Sequence, residues 1–122
     1  MTGVQTCALP IYIVVVNTSA GARYGKPDYV SKGCGMGREA TLYLTSRGVR
    51  VTGTDAWSWD APFVHTKAKV NETGDPKLIW EGHRAGHDIG YCHIEKMHNL
   101  EAIPSTARFI TPCNIAAMRN ML

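Results

Sequence analysis

The chain has 122 residues, 44% hydrophobic and 19% charged, which allows one folded domain and argues against disorder. Its formal charge of +3, from 13 Lys+Arg against 10 Asp+Glu, is small and dispersed, so no nucleic-acid partner is expected. No apolar run approaches the ~18–20 residues that a membrane span requires, so no membrane partner is expected either.

In chain order, Met1–Ile11 reads MTGVQTCALPI. This stretch resembles the in-frame translation of a common short-read sequencing adapter begun at a GTG codon. It is therefore set aside from fold reasoning, and residues 12–122 are read as the protein proper. Tyr12–Asn17 is a β-branched run with the pattern of a strand buried on both faces. Turn signals follow through Gly25-Lys26-Pro27-Asp28. Arg38–Arg47 has helical spacing at Met36, Ala40, Tyr43, Leu44 and Arg47, with Gly48 placed as its C-terminal glycine. Val49–Thr54 is a second strand, so the strand–helix–strand order predicts a parallel pair in an α/β sheet. Asp55–Phe63 is a loop at a strand C-terminus, where open α/β sheets place ligands. Trp57 and Trp59 there are candidate substrate-binding residues, with core packing as the plainer reading of both. Asn71–Pro76 reads as a turn, Lys77–Gly86 as a short helix and Ile89–Glu95 as a third strand.

Cys7, Cys34, Cys92 and Cys113 form no C-x-x-C pair. Ala8–Val16 is interrupted by Pro10 and lacks the basic flank of a signal peptide. Free thiols in a cytoplasmic protein are therefore expected.

Chemistry concentrates in the histidines. His83, His87, His93 and His98 fall within sixteen residues, interleaved with Asp88 and Glu95. On a helix, His83 and His87 would share one face, and on a strand His93 and Glu95 would do so. Arg84 stands where a metalloprotease H-E-x-x-H motif has its glutamate, and spacing alone leaves a metal site an open question. No G-x-S-x-G elbow is present, and Ser58 has no identifiable base partner. Gly33, Gly35 and Gly37 precede a helix, so their N–H groups could cradle an anion, but they lie too far beyond the strand for a dinucleotide fingerprint. Turn geometry and tight packing are the plainer reading of these glycines.

From Tyr12 to about Thr106 the chain resembles the C-terminal half of the cyclase family of metal-dependent hydrolases, which includes the bacterial kynurenine formamidases. The segments that carry the resemblance are Ile13–Thr18, Arg23-Tyr24-Gly25 with Asp28-Tyr29, Leu44–Asp60 and Gly90–Pro104. The most specific are Gly53-x-Asp55-x-x-Ser58-x-Asp60 and Ile94–Leu100. The resemblance implies an α/β fold of the swivelling β/β/α type, present here in part. It implies hydrolysis of an amide, formamide or ester of a small molecule by water at a zinc or manganese ion, in a homo-oligomer.

The carry-over of metal ligands falls on His83 and Glu95, while His87, His93 and His98 are left out of the core site. The family's His-x-Gly-Thr-His-x-Asp motif has no counterpart here, so the catalytic residues are unknown. With two ligands only, this chain alone is expected to be inactive and to hold no stoichiometric zinc. Residues 107–122 depart from the family pattern. The alternative reading is a small α/β module that binds an anion or nucleotide on the Gly33–Gly37 loop.

Overall fold

The computed structural model describes residues 13–104. The adapter-like segment Met1–Ile11 and the divergent residues 107–122 lie outside the described residues, as do Cys7 and Cys113. Three strands, β1 (Ile13–Val16), β2 (Val51–Thr54) and β3 (Cys92–Ile94), form a parallel sheet in the order β1-β2-β3. Val14 pairs with Thr52, and Thr52 with His93, so β2 is central. Among the described residues β1 is an edge strand. Its β-branched run is half-buried, with Ile13 exposed, rather than covered on both faces.

The first crossover is α1 (Arg38–Ser46), as the strand–helix–strand pattern predicts. Gly48 has φ 87°, the left-handed conformation that a helix-terminating glycine adopts without strain. The inward stripe of α1 differs from the expected one. Thr41 and Thr45 are buried, while Tyr43 faces solvent beneath the Arg47 guanidinium, 3.5 Å from the ring centroid. The two threonines are tolerated inside because each hydroxyl donates to a carbonyl, Thr41 to Met36 and Thr45 to Thr41, both at 3.0 Å.

Between β2 and β3 the chain forms α2 (Phe63–Thr73) and α3 (Glu81–Ile89), separated by a 3₁₀ turn at Pro76–Leu78. Residues 64–70 carry no element in the sequence pattern but lie within α2, and α3 begins four residues later than the expected helix Lys77–Gly86. Helix α3 packs against α1, and the Arg38–Asp88 ion pair at 2.7 Å links their exposed sides. No helix among the described residues is long and apolar enough to cross a membrane. Cys34 and Cys92 are free and exposed.

Trp59 and Met97 are the largest fully buried side chains, and Ala20, Tyr29 and Ala56 form a small buried hydrophobic cluster. A Cβ at Gly53 of β2 would come within 2.4 Å of the Met97 sulfur, so glycine is what lets Met97 lie on the sheet. Just past β2, the buried carboxylate of Asp55 accepts from the Thr18 N–H at 2.7 Å, the Thr18 hydroxyl at 2.6 Å and the Gly21 N–H at 3.0 Å. Its own carbonyl accepts from the Tyr29 hydroxyl at 2.7 Å. One residue therefore fixes the loop that leaves the neighbouring strand.

Replacing Asp55 with alanine strands these donors, and unfolding in urea should show a loss of about 2–4 kcal/mol. An unchanged midpoint and slope would show that the clasp is dispensable. Burial, and after it the Asp55 charge, raises the pKa of Tyr29 above the usual value of about 10. The unfolded chain therefore loses this proton first, and the associated stability is full below about pH 10 and declines as pH rises toward the folded pKa. Tyr29→Phe should flatten the fall in stability between about pH 9 and 11, measured by urea unfolding across that range.

Candidate metal centre

The site is built where the β2–α2 loop meets the start of α3. Trp80 occupies the N-cap position with φ 54° and makes no side-chain cap, so the first amides of α3 need an acceptor from elsewhere. Asp60 supplies it from the loop. Its Oδ1 accepts from the Gly82 N–H at 2.6 Å and its Oδ2 from the His83 N–H at 3.1 Å. The approach depends on Gly82, because a Cβ there would lie 2.6 Å from the Met36 carbonyl and 3.0 Å from Asp60 Oδ1.

Asp60 also orients an imidazole. His83 Nδ1 lies 2.5 Å from Asp60 Oδ2. A proton held on Nδ1 by the carboxylate leaves Nε2 with its lone pair free, the tautomer that a metal ligand needs. His83 Nε2 points toward His93 of β3 and Glu95, one residue past the end of that strand, which lie two residues apart and on the same side. His83 Nε2 is 3.1 Å from His93 Nε2 and 3.4 Å from Glu95 Oε1, and His93 Nε2 is also 3.4 Å from Glu95 Oε1.

That triangle matches a known requirement. A tetrahedral ion with bonds of about 2.0–2.1 Å holds its ligand atoms about 3.3–3.4 Å apart. The donor set, two imidazole nitrogens and one carboxylate oxygen, suits zinc. Electrostatics agree with the geometry. Burial, and then the neighbouring His83, lowers the pKa of His93 and so favours its neutral form. Burial acts to raise Glu95, but the Trp59 N–H, Lys96 and His83 outweigh it and hold the carboxyl below its usual range.

Of the residues expected from sequence, His83 and Glu95 lie side by side, Nε2 to Oε1 at 3.4 Å. His93, which had been left out, completes the set, and its signal was the two-residue spacing to Glu95. His87, one turn beyond His83, has a side chain 93% exposed and stands apart from the cluster. Trp57 is half-exposed and lines a cavity of about 300 Å³, together with Phe63, Trp80, Pro62, Ser58, Lys32, His83 and Glu95. Trp59 does not line it. Its indole N–H donates to Thr41 Oγ1 at 2.9 Å and its ring stacks on His93, which places it fully in the core behind the site. The plainer reading of Trp59 is the correct one.

The Gly33–Gly37 loop is occupied by protein. A Cβ at Gly35 would fall 1.8 Å from the Ala61 nitrogen, and Gly37 faces the Glu81 carboxylate, which would repel an anion. Gly35 serves close packing of the loop against residues 60–61, and Gly33, at φ 91°, lies against Thr18, Ala20 and Ala56.

The described residues thus define a candidate divalent-metal centre that opens on a cleft of small-molecule size. The family model described as "Putative cyclase" matches residues 6–61, and this supports the cyclase family for the chain. The match includes Asp55 and Asp60, ends before His83, His93 and Glu95, and takes in Thr6–Ile11 of the adapter-like stretch. No curated protein and no solved structure matches the chain.

Asp60→Asn keeps the shape but turns an NH₂ group toward donors that need an acceptor. It should cost about 1–3 kcal/mol in denaturant unfolding. It should also weaken zinc binding about 10–100-fold in a chelator competition. Retention of both properties would show that the carboxylate neither caps α3 nor orients His83.

Proposed function

We propose that this chain is a metal-dependent hydrolase of the cyclase family, with the swivelling β/β/α fold of that family, acting on an amide, formamide or ester bond of a small aromatic substrate. The carrying observation is the triangle of His83 Nε2, His93 Nε2 and Glu95 Oε1, with edges of 3.1, 3.4 and 3.4 Å. A zinc or manganese ion held there would supply a Lewis acid for a carbonyl oxygen and a means of activating water.

The protein's own residues account for the remainder. Asp60 holds His83 in the coordinating tautomer, and the Trp59 N–H and Ser58 hydroxyl fix Glu95 Oε1 at 2.8 and 3.2 Å. Trp57, Phe63 and Trp80 give the cleft aromatic walls that would seat a flat ring, with the scissile bond directed to His83 and Glu95. An arylformamidase-like reaction fits these walls. The small-molecule substrate, cytoplasmic setting and homo-oligomeric state belong to the same reading.

The expectation of an inactive chain counted two ligands. His93 raises the count to three, the usual number of protein ligands in a catalytic zinc site. The purified chain should therefore bind one equivalent of zinc. His93→Ala and Glu95→Ala should each weaken binding by more than about 100-fold, beyond the range of outer-shell changes. The zinc-loaded chain should hydrolyse an N-formyl arylamine or an aryl ester at a rate that follows metal occupancy. Full occupancy without turnover of either substrate would sink the hydrolase reading, and absence of zinc binding would sink the metal centre.

A further inference from the structure

We propose that Lys96 is a positioning residue that makes Glu95 a one-oxygen ligand, keeping Glu95 Oε2 away from the metal. The inference rests on the metal centre proposed above.

A glutamate can bind a metal through one carboxylate oxygen or both, and the choice sets how many positions remain for water and substrate. The two oxygens of Glu95 have different surroundings. Oε1 faces both histidine Nε2 atoms at 3.4 Å and accepts from Trp59 and Ser58. Oε2 has the Lys96 ammonium as its partner at 3.3 Å.

The backbone at Lys96 is where this arrangement originates. In an extended chain adjacent side chains project to opposite faces, so Lys96 would point away from Glu95. Lys96 instead has φ 60°, a left-handed conformation that costs a non-glycine residue about 1–3 kcal/mol. The conformation is pinned on both sides: the Lys96 N–H donates to the Ala56 carbonyl at 3.0 Å and the Met97 N–H to the Thr54 carbonyl at 2.9 Å. Glycine would adopt this φ freely. A long cationic side chain at such a position points to a use for the side chain. The ammonium is also held over the Trp57 ring, 4.4 Å from its centroid, so it joins the ligand carboxylate to the aromatic wall of the cleft.

The test compares Lys96→Met, Lys96→Gly and Lys96→Arg with the wild-type chain, using zinc, manganese and cobalt(II) as probes. With Oε2 released, the site gains an oxygen donor and shifts toward the harder ion. The ratio of zinc to manganese affinity should therefore fall about 10-fold in Lys96→Met and Lys96→Gly. The visible absorption of bound cobalt should lose intensity as a donor is added. Lys96→Arg should keep the wild-type ratio and spectrum. Lys96→Gly should melt no lower than the wild type because it relieves the positive φ, which separates positioning from support of the fold.

An unchanged ratio and spectrum in Lys96→Met and Lys96→Gly would overturn the proposal while leaving the metal centre intact. An equal loss of both metals would overturn it in favour of a structural role. Failure of the wild-type chain to bind any of the three ions would remove the metal reading and this inference with it.

Discussion

A buried carboxylate has to earn its place, because moving its charge out of water is costly unless several donors replace the lost hydration. Asp60 finds three: the Gly82 N–H, the His83 N–H and the His83 ring nitrogen. Two are the unpaired amides of a helix start, where the helix dipole also favours negative charge. The third belongs to a side chain that, once held, presents its other nitrogen to the centre of the site. The same two oxygens that let α3 begin after a residue as unsuited to capping as Trp80 also determine the tautomer of His83. Neither outcome can be changed without the other.

Glycine makes that contact geometrically possible. Gly82 removes the side chain that would separate Asp60 from the helix, and Gly35 lets the preceding loop lie directly on Ala61. Once the loop is seated, Trp59 has no route but inward. Its ring backs His93 and its backbone N–H meets Glu95 Oε1. Three consecutive features of the loop thus act on three different groups: Ser58 and Trp59 on Glu95, the Trp59 ring on His93, and Asp60 on His83. A cluster supported this way owes its geometry to neighbours that lie outside it.

The parts that were legible from sequence are those governed by short-range pattern. The β-branched run at Ile13–Val16, the helix ending before Gly48 and the strand Val51–Thr54 follow from propensity and turn chemistry alone, and their order implies parallel pairing. Helix α2 was invisible because it has almost no buried stripe: Thr66 is its only buried residue, and Phe63 and Val64 face solvent. The histidines show how spacing misleads. His83 and His87 have the helical interval of a ligand pair, yet Asp60 holds His83 against the loop while the His87 side chain is turned to solvent. The pair that lies beside His83, His93 and Glu95, follows the two-residue interval of a strand. It gains meaning only when the β2–β3 register brings it opposite α3. Trp57 and Trp59 are alike in sequence and opposite in environment, a difference set by a hydrogen bond to Thr41 eighteen residues away.

The family match and the candidate ligands occupy different stretches of chain, residues 6–61 against 83–95, and the β2–α2 loop is what joins them physically. Its two aspartates face in different directions. Asp55 binds back to the turn after β1, and Asp60 binds forward to the start of α3. The loop therefore ties the early strand to the later helix through charged hydrogen bonds with little apolar contact between them, which suits a core as small as this one. It also ties the position of His83 to the same framework that sets the sheet register, and that register sets His93 and Glu95. The three donor atoms consequently share one frame of reference although they come from two elements. Side-chain donor atoms within 3.1–3.4 Å of one another are what such shared anchoring produces.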